Sequence, residues 1–78
     1  MNTTTTATVR VTELYVGDVV VFPCGYIARV TGLEAGPDLG EVSVFHDTHH
    51  RIIFGVDVHL RRGDREDEFA VLARELGA

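Results

Sequence analysis

The amino-acid sequence contains no lysine and no tryptophan, has one cysteine, and lacks any long apolar run. Its apolar segments are far shorter than the roughly 20 residues of a membrane-spanning helix, so we expect no membrane-spanning helix. Cys24 has no second cysteine with which to form an internal disulfide, which is typical of a reducing compartment. Because the chain opens with a polar threonine run rather than a charged and apolar leader, we expect a cytoplasmic protein.

A surplus of basic residues is also missing. Twelve acidic residues against seven arginines give a formal net charge of −5, whereas proteins that bind nucleic acids usually carry a basic surplus. The sequence has no P-loop, paired catalytic carboxylates, Ser-His-Asp pattern or dinucleotide fingerprint. Cys24 lies in a Pro-Cys-Gly turn, and the sequence places no base beside it. We therefore expect a protein that is not an enzyme and that has no cofactor.

The length and the turns predict one small domain. The 78 residues have room for a single hydrophobic core, with residues 1–6 as a disordered threonine-rich tail and residues 7–78 as the folded domain. Residues 19–22 and 26–31 are rich in β-branched and aromatic residues, and a turn at 23–25 separates them. We expect these two runs to form the antiparallel hairpin around which the other strands assemble.

Three further stretches have the alternation of half-buried strands: residues 7–12, 41–45 and 51–61. At about 3.3 Å per residue, the last stretch would form a strand of about 36 Å, which is too long for a barrel of this size. Gly55 lies at its middle, so we expect a sharp bend there that divides it into two strands. Gly32, directly after the second run of the hairpin, predicts a bulge or bend.

The last segment changes to a helical period. Asp64 and Asp67 have the spacing of a capping box, which starts a helix. The apolar spacing i, i+3, i+4, i+7 predicts an amphipathic helix over about residues 65–76. Its single apolar stripe, formed by Phe69, Leu72, Ala73 and Leu76, is expected to cover the barrel. A sixth strand through residues 68–74 is the alternative.

Together these elements predict a mainly β fold, a small antiparallel barrel of five to six strands with a short C-terminal α-helix. The chain contains the sequence Gly17-Asp18-x-Val20-x-Phe22, followed by Gly25, Arg29-Val30 and Leu33. This pattern resembles the opening of SH3-like barrels, and in particular the KOW-type motif. The chain is also similar to small actinobacterial and actinophage proteins with a Gly-Asp-Val-Val core. The KOW resemblance implies association with the ribosome or RNA polymerase.

The alternation divides the strands into an inward and an outward phase. The inward residues are predicted to form the core: Val9, Val11, Val19, Val21, Ala28, Val30, Val42, Val44, Ile52, Phe54, Val56, Val58 and Leu60. Three apolar residues, Ile27, Phe45 and Ile53, fall in the outward phase. Neighbouring exposed apolar groups mark interaction surfaces, so we expect either the terminal helix or a second copy of the chain, in a homodimer, to cover them.

A histidine cluster is a candidate metal site. His46, His49 and His50, together with Asp47, offer imidazole and carboxylate ligands that suit Zn²⁺ or Ni²⁺. In an extended segment, however, His49 and His50 would point to opposite faces, and the spacing matches no established metal motif. The preferred interpretation is an exposed polar hairpin without a metal.

Arginines in the outward phase are a candidate anion site. Arg10, Arg29, Arg51 and Arg61 would form a positive stripe if their strands were neighbours, and Tyr26 would provide a stacking surface for a nucleic acid base. The alternative is that these arginines are solvated or paired with acidic side chains.

The leading functional hypothesis is a non-enzymatic interaction module. It would bind a protein partner through its strand edges and the outward apolar residues, because small barrels commonly work by recognition. Nucleic-acid binding through the arginine stripe is the second hypothesis, and metal binding by the histidine cluster is the third.

Overall fold

The structure, a computed structural model, describes residues 7–47 and 50–77. The predicted N-terminal tail, residues 1–6, lies outside the described residues. Six strands precede one helix: β1 Thr8–Arg10, β2 Val19–Val21, β3 Ile27–Ala35, β4 Glu41–His46, β5 His50–Gly55, β6 His59–Arg62 and α1 Arg65–Glu75. A short 3₁₀ helix, Val11–Glu13, follows β1 and ends the predicted first strand earlier than its alternation indicated.

The six strands form one antiparallel sheet in the order β1-β6-β2-β3-β4-β5. The predicted mainly β fold with antiparallel strands and a C-terminal helix is confirmed. Within the described residues, β1 and β5 are the two ends of the sheet, so hydrogen bonds between them do not close it into the predicted barrel. The chain reaches this order because β6 returns to the start of the sheet and pairs with both β1 and β2.

Two glycines shape the strands as the sequence predicted. The register between β3 and β4 shifts between Val30 and Gly32, which is the bulge expected at this glycine. Gly55 ends β5, and the chain turns through a hydrogen bond from the Val58 N–H to the Gly55 carbonyl before β6 begins. The strand predicted to end at Thr31 instead continues to Ala35, because the residues beyond the bulge pair with β4.

The core differs from the predicted one mainly on β2. The main apolar cluster contains Val9, Val11, Leu14, Val20, Phe22, Ala28, Val30, Val44 and Leu60. The half-buried residues Leu33, Val42, Ile52, Phe54 and Val58 pack against it. Of the predicted core, Val19, Val21 and Val56 lie outside this cluster. Val20 and Phe22 take the positions that face the main cluster, so the predicted phase of β2 is wrong. Val19 is buried as predicted, at 4% exposure, but not in the main cluster.

The capping box predicted at the start of α1 is confirmed. The Asp67 N–H donates to Oδ1 of Asp64 at 2.8 Å, and the Asp64 N–H donates to Oδ2 of Asp67 at 3.0 Å. These bonds satisfy backbone donors that the first helical turn leaves free. Three acidic residues in that turn also match the positive end of the helix dipole.

The face on which α1 packs is the reverse of the predicted one. Val71 is the helix residue that is buried, at 1% exposure, and the helix lies against β2 and β3. The polar residues that share this face form ion pairs: Asp67 with Arg61, Arg74 with Asp47 and Glu75 with Arg29. The predicted apolar stripe therefore faces away from the sheet, because ion pairs and one valine dock the helix.

Candidate functional site

A cleft opens between the turn after β2 and the hairpin that joins β4 to β5. Its volume is about 440 Å³, and it is lined by Phe22, Cys24, Tyr26, His46, Asp47, His50 and Ile52. The lining combines apolar and aromatic side chains with groups that can bind protons or metals. This combination of an apolar concavity with a few converging polar groups is typical of a binding site.

The hairpin register brings two of the predicted metal-site histidines together. His46 and His50 are direct cross-strand partners, and Asp47 follows His46 in a left-handed conformation with φ of 49°. The potential ligand atoms of His46, Asp47 and His50 all lie within 4.8 Å of one another. His49, the third predicted histidine, lies outside the described residues. The expected exposed hairpin is wrong for His46, which is 6% exposed because it continues the inward phase of β4.

Aromatic rings surround His46. The centroid of its ring lies 5.0 Å from that of Phe22, 5.6 Å from that of Tyr26 and 5.4 Å from that of His50. The guanidinium carbon of Arg74 lies 4.9 Å from the centroid of the Tyr26 ring. The Tyr26 ring, which the sequence analysis proposed as a stacking surface for a nucleic-acid base, therefore contacts an arginine cation of its own chain.

Asp47 is the electrostatic centre of the cleft. Its carboxylate accepts hydrogen bonds from the Tyr26 hydroxyl and from Nη2 of Arg74, the latter at 3.3 Å. Partial burial acts to raise the pKa of Asp47, but the Tyr26 hydrogen bond and the Arg74 charge outweigh it and lower the pKa. The same hydrogen bond raises the pKa of Tyr26, because removing its proton would place a second anion beside Asp47.

The predicted arginine stripe is divided by the helix. Arg29 and Arg61 lie beside acidic residues of α1, with Nε of Arg29 2.8 Å from Oε2 of Glu75. The hydrogen bond to Glu75 also raises the pKa of Arg29. Arg10 lies on β1 and Arg51 on β5, at opposite ends of the sheet. The four arginines thus do not form one continuous row.

The outward apolar residues also occupy separate environments. Ile27 is half-buried next to the helix, and Nη2 of Arg74 donates a 2.9 Å hydrogen bond to its carbonyl. Phe45 is half-buried and pairs with Gly32 across the β3–β4 ladder. Ile53 is 39% exposed on β5 at the end of the sheet. Helix docking therefore accounts for Ile27 but not for Ile53.

A continuous apolar surface is found instead on α1. Phe69 is 62% exposed, Leu72 is 43% exposed and Leu76 is 77% exposed. These three residues recur at i, i+3 and i+7, so they form one stripe along the helix, which we call the outer helix stripe. The sequence pattern identified the stripe, but it was interpreted as the docking face because amphipathic helices usually bury their apolar side.

No protein-family model, curated protein or solved structure matches the chain. The described residues therefore identify the class of protein by fold and site alone. It is a small antiparallel β-sheet protein with a docked helix and a cleft that contains histidines. No helix within residues 7–47 and 50–77 is long and apolar enough to cross a membrane.

We expect the free energy of unfolding to decrease as the pH falls below about 4. A backbone hydrogen bond from Asp67 lowers the pKa of Asp64, and the hydrogen bond from Arg29 lowers that of Glu75. The stabilisation that the ionised Asp64 and Glu75 carboxylates provide is thus fully present at pH values above their unfolded-state pKa values. It is lost as the pH falls through their lower folded-state pKa values. Urea midpoints near pH 7 and near pH 3 measure the loss. Glu75→Gln should reduce the difference, and an unchanged difference would contradict the assignment to Glu75.

Proposed function

We propose that this protein is a non-enzymatic, cytoplasmic interaction module that binds a protein partner through the outer helix stripe. The observation that carries the proposal is the exposure of Phe69, Leu72 and Leu76 on a helix whose opposite face is already docked. Neighbouring large apolar side chains that are exposed to water usually mark a surface that a partner covers. Such a stripe has the i, i+3, i+7 spacing by which helices bind apolar grooves.

Charge favours a basic partner over a second copy of the chain. The formal net charge is −5, and the exposed residues Glu66 and Glu68 flank the outer helix stripe. Arg29, which pairs with Glu75, and Arg65 line one pocket with Phe69 and Leu72, so the acidic character comes from the net charge of the whole protein. A homodimer through this stripe would bring like charges together at the rim, which disfavours association. A partner with apolar side chains surrounded by lysine or arginine would match both the stripe and the negative net charge.

We place the proposed binding surface on α1 rather than on the outward strand residues of the sequence-based hypothesis. Of Ile27, Phe45 and Ile53, Ile53 is the most exposed, and it lies alone on the terminal strand β5. The strand edge remains available for pairing, but a single isoleucine offers little apolar area there. We therefore place the main contact on α1.

The test uses a model partner, a labelled amphipathic peptide of leucine and lysine, and a scrambled peptide of the same composition. We expect the amphipathic peptide to bind and the double variant Phe69→Ser and Leu76→Ser to weaken binding at least about tenfold, since buried apolar contacts dominate such interfaces. Both residues are exposed, so the variant should fold with nearly unchanged stability. Fluorescence anisotropy measures affinity, and Ile53→Ser is the matched control on the sheet.

Three outcomes would contradict the proposal. Equal binding of the scrambled peptide would show that charge alone is responsible. A dimer in sedimentation equilibrium that the double variant abolishes would assign the stripe to a second copy. Submicromolar binding of oligonucleotides with a steep salt dependence, weakened by Arg29→Ala and Arg51→Ala, would instead support the nucleic-acid hypothesis.

A further inference from the structure

We propose that the cleft is a binding site for a divalent transition metal, with Zn²⁺ as the preferred ion and His46, Asp47 and His50 as ligands. The ligand atoms of these residues already lie within 4.8 Å of one another. The site is distinct from the outer helix stripe, because it lies on the β4–β5 hairpin and shares no residue with that stripe.

A second observation points to the same ligand. Nδ1 of His46 is buried and makes no hydrogen bond of good geometry among the described residues. It lies 3.4 Å from Oδ2 of Asp47, a contact that is an ion pair only when the imidazole is protonated. A buried polar atom left without a partner costs stability, so such an atom requires an explanation. A metal ion held between His46 and its neighbours would supply the missing interaction.

The donor set selects the class of metal. Two imidazoles and a carboxylate suit borderline ions such as Zn²⁺. The exposed thiol of Cys24 lines the same cleft but lies outside the group of ligand atoms within 4.8 Å of one another, so it would have to move to become a fourth ligand. In a tetrahedral zinc site, with bonds of about 2.0–2.1 Å, neighbouring nitrogen ligands lie about 3.3 Å apart. The ligand atoms would have to move closer together to bind the ion, and His50 is the exposed member of the cluster.

The other contacts of Asp47 are compatible with metal binding. The Asp47 carboxylate accepts from Tyr26 and Arg74 and makes further contacts, including the one to His46. An ionised carboxylate has about four lone-pair sites, and a metal ion would take the place of the contact with His46. Hydrogen bonds to a ligating carboxylate usually fix its orientation. Tyr26 and Arg74 would therefore act as positioning residues, holding Asp47 towards the two histidines.

The experiment is a calorimetric titration of Zn²⁺ into the full chain after treatment with a chelator, at neutral pH. We expect one ion per chain, and a loss of affinity of at least about tenfold in His50→Ala and in Asp47→Asn. Asparagine keeps an acceptor for Tyr26 and tolerates the left-handed backbone at position 47. Both variants avoid the buried His46, whose replacement would disturb the core. His59→Ala, a histidine outside the cleft on β6, is the matched control and should bind normally.

Cobalt provides a separate readout of the ligands. Co²⁺ bound by a thiolate gives an intense charge-transfer band in the near ultraviolet, and Cys24→Ser should remove it. If the band is absent from the wild type, the assignment of Cys24 as a ligand is wrong. If His50→Ala binds Zn²⁺ as tightly as the wild type, or if His59→Ala is weakened equally, the metal site itself is wrong. Zn²⁺ should also raise the melting temperature of the wild type but not that of His50→Ala.

Discussion

Replacing Phe22 with alanine is expected to lower the free energy of unfolding by about 3–5 kcal/mol, the range for removing a buried aromatic ring. Phe22 is only 2% exposed, and it belongs to the main apolar cluster. Its ring centroid lies 5.9 Å from that of Phe54 and 5.0 Å from that of His46. The variant would therefore remove apolar contacts and leave a cavity directly beneath the cleft.

Urea unfolding followed by circular dichroism measures this loss. Phe54→Ala should cost less than Phe22→Ala, because Phe54 is half-buried whereas the sequence placed it at the centre of the core. Phe69→Ala is the matched control for deleting an exposed ring, and its effect should lie within about 0.5 kcal/mol. A larger loss for Phe69→Ala than for Phe22→Ala would contradict the packing described for both residues.

The strands and their turns were predictable because local chemistry decides them. In β4 and β5, Val42, Val44, Ile52 and Phe54 recur at every second position, so their inward faces follow from the sequence even though Phe45 and Ile53 are apolar as well. Gly32 and Gly55 mark the bulge and the strand end for the same reason, since a residue without a side chain fits where the ladder is interrupted.

The phase of β2 and the docking face of α1 were not predictable in this way. Residues 19–22 are all apolar, so the alternation that selects an inward face is missing. The apolar stripe of α1 indicated burial, but the helix docks through ion pairs with Arg29, Asp47 and Arg61. Arg29 lies on β3 and Asp47 follows β4, and the local pattern of the helix contains no information about which of these elements it will meet.

The candidate site was predictable in part. His46 and His50 were recognised as candidates, but treating residues 46–50 as an extended segment concealed that they face each other. One signal was available, because the inward phase of Val42 and Val44 continues to His46. The contribution of Tyr26 and Arg74 was not available, since both reach Asp47 only through the tertiary fold.

Replacing Gly63 with alanine is expected to destabilise the protein by about 1–3 kcal/mol, the usual range for overpacking. Gly63 joins β6 to α1, and its N–H donates a 2.8 Å hydrogen bond to the carbonyl of Val19. A Cβ atom at Gly63 would lie 2.6 Å from Cγ1 of Val19, 3.1 Å from the Val19 carbonyl oxygen and 3.2 Å from Cβ of Asp67. Val19 is buried, so its side chain has little room to move away.

Gly55→Ala is the matched control, because the same atom is added where there is space. Its Cβ would approach no atom closer than 4.0 Å, so we expect an unchanged or slightly increased free energy of unfolding, by up to about 1 kcal/mol. Urea unfolding of the two variants compares them directly. If Gly63→Ala were as stable as Gly55→Ala, the helix would have to tolerate movement away from β2. This result would contradict the close packing of the β6–α1 junction against Val19. The exposed orientation of the outer helix stripe depends on that packing.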